Sequence, residues 1–135
     1  MNALLILMLA ADLNSVKNEP NLEHRSEMAL DYANQSIDAA RDAYNAGDVA
    51  KMQAALAQVS DAVDVSYEAL SETGKNPRNN KYFKRAELRT RELVRRLDGL
   101  AQTVNFEDRE PVSKVRDHVA DVRDNLLKGI MSKKN

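Results

Sequence analysis

The sequence predicts an all-α protein, an up-down-up-down four-helix bundle with left-handed crossings, preceded by a short apolar N-terminal segment. Three observations lead to this prediction. Apolar residues recur at alternating steps of three and four in four long segments, glycine, proline and asparagine concentrate between those segments, and no segment alternates apolar and polar residues. The chain has 135 residues, of which 43% are hydrophobic, and no Trp or Cys. One aliphatic core is therefore expected.

The N-terminal segment, residues 1–16, contains the uninterrupted apolar run ALLILMLAA at positions 3–11. A bilayer-spanning helix takes about 20 residues, so this run is too short to cross a membrane. Two interpretations stay open. The run is either the apolar region of a secretory signal, which makes the protein periplasmic or extracellular, or a first segment docked on the core of a cytoplasmic protein. No Lys or Arg precedes the run. Residues 17–135 are expected to form the bundle domain.

The first predicted helix covers residues 20–46, with Pro20 in its first turn and Gly47 as a left-handed terminator. Asp48 is expected to cap the second helix, whose apolar stripe ends before Gly74. A joint of one or two residues makes these two helices antiparallel neighbours. The predicted core positions are Leu30, Ala33, Ile37, Ala40 and Tyr44 in the first helix and Val49, Met52, Leu56, Val59, Val63, Tyr67 and Leu70 in the second.

The segment GKNPRNN, residues 74–80, concentrates turn-forming residues, and Asn79 or Asn80 is expected to cap the third helix. The apolar positions of that helix keep a seven-residue repeat, the spacing of left-handed helix packing. A turn over residues 105–111, with Asp108 as cap, precedes the fourth helix. The predicted core positions are Phe83, Ala86, Thr90, Leu93, Leu97, Leu100 and Val104 in the third helix and Val112, Val115, Val119, Val122, Leu126 and Ile130 in the fourth.

Charge is distributed unevenly along a chain whose formal net charge is -1. Residues 1–74 hold twelve acids and four bases, whereas residues 75–96 hold nine bases and two acids. In the predicted bundle the third helix lies beside the second, which bears four acids between Asp61 and Glu72. We therefore expect antiparallel packing to set Glu68 and Glu72 against the start of the third helix. Exposed pairs of this kind select helix order more than they add stability.

Six basic residues of this region are candidates for contact with a partner or an anion. They are Lys75, Arg78, Lys81, Lys84, Arg85 and Arg91. The surface they form suits a protein partner or a second copy of the chain, or alternatively an anionic ligand such as nucleic acid. A pI near 6.1 and the few aromatic residues for base stacking disfavour nucleic acid. A membrane surface is disfavoured because only Leu88 and Val94 lie beside the apolar stripe.

The sequence indicates no enzymatic site, cofactor or metal centre. Glu-x-x-His pairs of the ferritin-like type, glycine-rich phosphate loops and HExxH motifs do not occur in it. The two histidines, His24 and His118, have no second histidine nearby, which favours solvated side chains over metal ligands. We expect a non-enzymatic interaction or structural protein that uses no cofactor and no small-molecule substrate.

The stretch YEALSETGKNPRNNKYFKRAELRTRELVRRLDGL, residues 67–100, and the later DNLLKGIM, residues 124–131, carry a resemblance. Together they resemble a group of small uncharacterised bacterial helical proteins that share a GKNxR loop, a KYFKRAEL-like helix start and a final LLxGIM-like segment. The resemblance covers roughly residues 19–131. It implies an exported protein with no assigned activity.

Overall fold

The computed structural model describes residues 13–132, and every regular element within them is helical. The four long helices are α1 (Leu22–Asn45), α2 (Val49–Glu72), α3 (Lys81–Thr103) and α4 (Arg109–Met131). Short 3-10 turns, Pro77–Asn79 and Phe106–Asp108, lie in the connections before α3 and α4. The prediction of an all-α bundle is confirmed.

Helix α1 begins two residues later than predicted. The side chain of Asn21 caps it, because its Oδ1 accepts a hydrogen bond from the backbone N–H of His24 at 2.9 Å. Pro20 therefore lies outside the helix, which starts at Leu22. A side-chain cap at Asn21 satisfies a free N–H group of the first turn, whereas Pro20 at the first helical position would only have removed one.

The other predicted terminators and caps are confirmed with one exception. Gly47 has a φ of 81°, in the left-handed region that favours glycine. Asp48 and Asn80 accept hydrogen bonds from backbone N–H groups in the first turns of α2 and α3. Asp108 makes no such bond at the start of α4. The Tyr44 hydroxyl instead donates to its carboxylate at 3.3 Å, which ties the end of α1 to the turn before α4.

The four predicted apolar stripes meet in one aliphatic core. All seven predicted core positions of the third helix, including Val104 just after its last residue, are buried, and so are most of the positions in the other three stripes. The remaining positions are partly buried and pack against this core; they are Tyr44, Val49, Tyr67, Val115 and Ile130. Helical periodicity therefore identified the inward face of each helix correctly.

The contact between α1 and α2 is the most extensive in the bundle. Small residues are frequent among the buried positions of both helices; they are Ser26, Ala29, Ala33, Ser36 and Ala40 of α1 and Ala55, Ala62, Ser66 and Ala69 of α2. The hydroxyls of Ser26 and Ser66 share a hydrogen bond of 2.7 Å, and the Tyr32 hydroxyl donates to Gln58 at 3.1 Å. From the first of these contacts to the second, the residue number rises in α1 and falls in α2, so the two helices are antiparallel.

The N-terminal segment joins the core through its described part. Residues 13–17 are helical, and Leu13 and Val16 are each 5% exposed. Val16 lies beside Met28 and Tyr32 of α1. The apolar run at positions 3–11, on which the signal and docked-segment interpretations depend, lies outside the described residues. Across residues 13–132, no helix combines the length and the apolar character that crossing a membrane requires.

The order of the helices around the core differs from the prediction. α1 packs against α2 and α3, and α4 packs against α3 and α2, whereas α2 and α3 make few contacts. The expectation that Glu68 and Glu72 face the start of α3 is therefore wrong. The connection between the two helices, residues 73–80, permits this order, because five extended residues and the three of the 3-10 turn together reach about 22 Å. That exceeds the diagonal of about 14 Å that follows from helix spacings of about 10 Å.

Truncation of a core leucine tests the helix phase. Leu97 is fully buried, whereas Leu88 on the same helix is 57% exposed. We expect Leu97→Ala to lower the free energy of unfolding by about 2 to 5 kcal/mol, because it removes buried methylene groups and leaves a cavity. The matched variant Leu88→Ala should lower it by less than about 0.5 kcal/mol. Urea unfolding followed by circular dichroism measures both, and equal losses would contradict the assigned faces.

Candidate partner surface on α3

One edge of α3 and the loop before it pair with α1 through a row of ion pairs, called here the α1–α3 ladder. From one end of the bundle to the other, the pairs are Lys75–Glu23 at 2.9 Å, Arg85–Glu27, Arg89–Asp31 at 2.5 Å and Arg96–Asp38 at 2.5 Å. Arg96 also donates to the backbone carbonyl and the side chain of Asn34. Because the residue numbers of both partners rise together, α1 and α3 run parallel.

The ladder fixes which helix lies beside α3. Its carboxylates on α1 step by four and seven residues from Glu27 to Asp38, and its arginines on α3 repeat those steps from Arg85 to Arg96. This matching spacing is the sequence signal that could have identified α1 as the neighbour. Half-exposed ion pairs contribute only about 0 to 1 kcal/mol each. Their main effect is therefore to select the register and the neighbour.

Glu23 ends the ladder at the loop before α3. Its carboxylate accepts hydrogen bonds from Lys75 Nζ at 2.9 Å and from Asn80 Nδ2 at 3.0 Å. These two bonds, that from Lys75 first, hold the pKa of Glu23 below its ordinary value of 4.5. Because the pKa of Glu23 is lowered in the folded chain, its carboxylate stabilises the fold at pH values above its ordinary pKa. This stabilisation is lost as the pH falls through the folded-state pKa.

Glu87 is the only charged residue that is buried among residues 13–132, with 4% of its surface exposed. Its two carboxylate oxygens accept hydrogen bonds from Arg91 Nη2 at 2.9 and 2.8 Å, and one of them also accepts from Arg123 Nε at 2.9 Å. Sequence reasoning did not single out this group. The available signal was a Glu–Arg pair four residues apart, next to the inward-facing Ala86.

The same contacts give the direction of α4. Arg123 meets Glu87 near the start of α3, and the earlier Arg116 meets Asp98 near its end, at 2.9 Å. α3 and α4 are therefore antiparallel. α3 is held on two sides, by α1 through the ladder and by α4 through Glu87 and Asp98.

The structure divides the six predicted contact residues into groups. Three are engaged within the chain, since Lys75 and Arg85 belong to the ladder and Arg91 binds Glu87. Arg78 is exposed in the 3-10 turn and makes contacts of its own. Lys81 and Lys84 are exposed in the first turn of α3, and neither forms an ion pair with a residue of the described chain; Lys81 Nζ lies 5.4 Å from the Tyr82 ring centre.

The face of α3 that points away from the core is called here the outer stripe. It consists of Lys81, Lys84, Leu88, Arg91 and Arg95, which follow steps of three and four and are all exposed. Arg95 donates to Glu92 of its own helix at 2.9 Å. The stripe thus places four bases around a leucine that is 57% exposed.

The acids of α2 lie away from α3. Asp61, Glu68 and Glu72 are exposed and are called here the acidic stripe, and none of the three forms an ion pair with another residue between positions 13 and 132. Asp64, beside the stripe, shares a hydrogen bond of 2.7 Å with His118 of α4. The predicted solvated histidine is thus half-exposed and bound to a carboxylate.

The two segments that carry the sequence resemblance meet at one end of the bundle. A Cβ atom on Gly129 of α4 would lie 3.2 Å from Pro77, so glycine permits the close approach of the loop to the helix. A cavity of about 250 Å³ opens beside this contact, between Tyr67, Phe83 and Leu126. No group of His, Asp and Glu side chains suited to holding a metal ion occurs in the part of the chain that the structure describes.

The pKa of Glu23 tests the end of the ladder. We expect the carboxylate to titrate below 4.5 in the wild type and closer to that value in Lys75→Met, because the substitution removes the principal hydrogen-bond donor. A titration of the glutamate side-chain carbons by NMR measures both values. Lys114→Met, at an exposed position of α4, is the control and should leave the pKa of Glu23 unchanged. An unchanged pKa in Lys75→Met would contradict the contact.

Removal of both arginines that bind Glu87 tests the buried carboxylate. We expect the double variant Arg91→Ala/Arg123→Ala to lose about 3 to 5 kcal/mol of unfolding free energy, because a buried charge is left without a partner. Adding Glu87→Met should recover most of the loss, since the charge itself is then removed. Chemical denaturation measures the three proteins. Equal stability of the double and triple variants would contradict a buried charge at Glu87.

Neither the scan of this chain against models of protein families nor the search of curated proteins returns a match. The resemblance to small bacterial helical proteins stays a prediction. The function of the chain is therefore argued from the contacts and charges of α3.

Proposed function

We propose that this protein is a non-enzymatic helical bundle that acts by contacting another protein through the outer stripe of α3. One observation carries the proposal. The bases on one edge of α3 are engaged by α1, whereas the outer stripe keeps four bases exposed around Leu88, itself 57% exposed. A single exposed leucine is ordinary on a protein surface, so the row of four exposed bases around it carries the proposal.

The chemistry of the outer stripe favours a protein as the partner. Arginine is enriched at protein interfaces, and the long stems of Lys84 and Arg91 add apolar contact area beside Leu88. The partner surface that fits it carries carboxylates around a small apolar recess. Opposite charges would speed the encounter and set its orientation, and burial of Leu88 would slow dissociation.

The finer features of the bundle belong to the same proposal. An up-down-up-down course with left-handed crossings is supported by the seven-residue spacing of α3 and by the relative directions of the α1–α2, α1–α3 and α3–α4 pairs. Export is supported by the apolar run at positions 3–11 and by the sequence resemblance. An exported bundle with a rigid, exposed helix face suits an interaction or structural role.

The alternative is an anionic ligand or nucleic acid bound by the six predicted bases. Three of these bases, Lys75, Arg85 and Arg91, already hold carboxylates of the same chain. A polyanion that used Lys75 and Arg85 would have to displace the carboxylates of the ladder, whereas a protein partner on the outer stripe needs neither of these two bases. Binding of a DNA duplex that persists at about 50 mM salt and collapses by about 200 mM would favour the alternative.

Site-specific crosslinking tests the proposal. We expect a photoreactive amino acid at position 88 of the natively expressed chain to give protein adducts, and the same group at position 121, exposed on α4, to give none. Lys84→Glu/Arg95→Glu should reduce the adducts at position 88 by about tenfold or more, because the charges that orient the partner are reversed. Mass spectrometry identifies the adducts. Equal yields at both positions, or none at position 88, would overturn the proposal.

A further inference from the structure

Two oppositely charged stripes occupy opposite sides of this bundle. α2 and α3 are the helices that make few contacts with each other, so they lie diagonally across the core. The outer stripe on α3 is basic, and the acidic stripe on α2 carries Asp61, Glu68 and Glu72, all exposed. Within one chain these two stripes cannot neutralise each other.

We propose that the outer stripe of α3 docks on the acidic stripe of a second copy of this chain. The proposal rests on the proposed function, because it names the partner that the outer stripe contacts. Complementary charge is the first argument, since the acidic stripe supplies the carboxylates that the outer stripe requires. Their lengths also match, because residues 81–95 and 61–72 extend over about 21 and 17 Å of helix.

Apolar residues in both stripes support the same pairing. Leu88 lies at the centre of the outer stripe. Val65, which lies between Asp61 and Glu68 at helical spacing, is partly buried and packs against the core. A shallow apolar position flanked by acids on one copy can therefore receive an exposed leucine flanked by bases on the other.

The contact joins two different surfaces, so it is heterologous. Because the two stripes lie on opposite sides of the bundle, an isologous contact could include only one of them, and it would oppose like charges across the interface, which is unfavourable. A heterologous contact leaves one basic and one acidic stripe free at the ends of each dimer. Copies therefore add head to tail, and the assembly grows with protein concentration and shrinks with salt.

Sedimentation velocity of the full chain over a concentration series tests this inference. We expect the sedimentation coefficient to rise with concentration at about 25 mM salt and to stay at the monomer value at about 500 mM. The outer-stripe variant Lys84→Glu/Arg95→Glu and the acidic-stripe variant Glu68→Lys/Glu72→Lys should each remain monomeric at low salt. Association unchanged in either variant, or a monomeric wild type at low salt, would overturn the inference.

An equimolar mixture of the two variants provides the decisive measurement. The intact acidic stripe of the first variant meets the intact basic stripe of the second, so one head-to-tail contact per pair of molecules is restored. We therefore expect the mixture, unlike either variant alone, to form a 1:1 dimer at low salt. Failure of the mixture to associate would contradict head-to-tail pairing.

Matched controls change charge by the same amount elsewhere. Lys114→Glu/Lys128→Glu and Glu107→Lys/Asp121→Lys alter exposed residues outside both stripes and should associate as the wild type does. If they also remain monomeric, net charge and not the stripes governs association, and the inference fails. Circular dichroism checks that each variant is helical, and the single changes Arg95→Glu and Glu72→Lys replace a double variant that does not fold.

The crosslinking experiment separates this inference from the proposed function. Adducts at position 88 with another copy of the chain support both. Adducts with a different protein, together with a monomeric wild type, overturn self-docking and leave the proposed function standing. No adduct and no association overturn both.

Discussion

The α1–α3 ladder is the constraint on which the helix order depends. Burial of leucine, valine and alanine is non-directional, so an aliphatic core distinguishes poorly between alternative neighbours. Ion pairs at matched steps do distinguish them, since Arg85, Arg89 and Arg96 meet acids only where the partner helix repeats their spacing in the same direction. The connection over residues 73–80 is long enough to permit this arrangement, and the ladder selects it.

Glu87 fixes the opposite edge of α3. A buried carboxylate is costly without partners, so α4 must present Arg123 at one register to pair with Glu87. Arg91 is constrained in the same way, because its guanidinium binds Glu87 and yet stays exposed in the outer stripe. With the ladder on one edge and Glu87 on the other, the outer stripe of α3 faces solvent between them.

Periodicity and capping chemistry could be predicted from the sequence because both depend on residues close together along the chain. The seven buried positions of α3, the left-handed Gly47 and the caps Asp48 and Asn80 are of this kind. Helix order depends on contacts between residues far apart in the sequence. Glu68 and Glu72 were assigned to the wrong neighbouring helix because either order of the helices buries the same apolar stripes. The candidate surface was predicted in part. A sequence shows which residues share a face, but it does not show that α1 engages Arg85 while Lys84 stays exposed.

The observed helix order changes the electrostatics of the whole molecule. Had α3 lain beside α2, the acids of α2 would have met the bases of α3, and Glu27, Asp31 and Asp38 of α1 would have been left without them. Because α1 engages one edge of α3 instead, Asp61, Glu68 and Glu72 remain exposed on one side and the outer stripe on the other. A bundle polarised in this way orients in the field of a charged partner before contact. The pairing that specifies the fold therefore also creates the surface through which we expect the protein to bind.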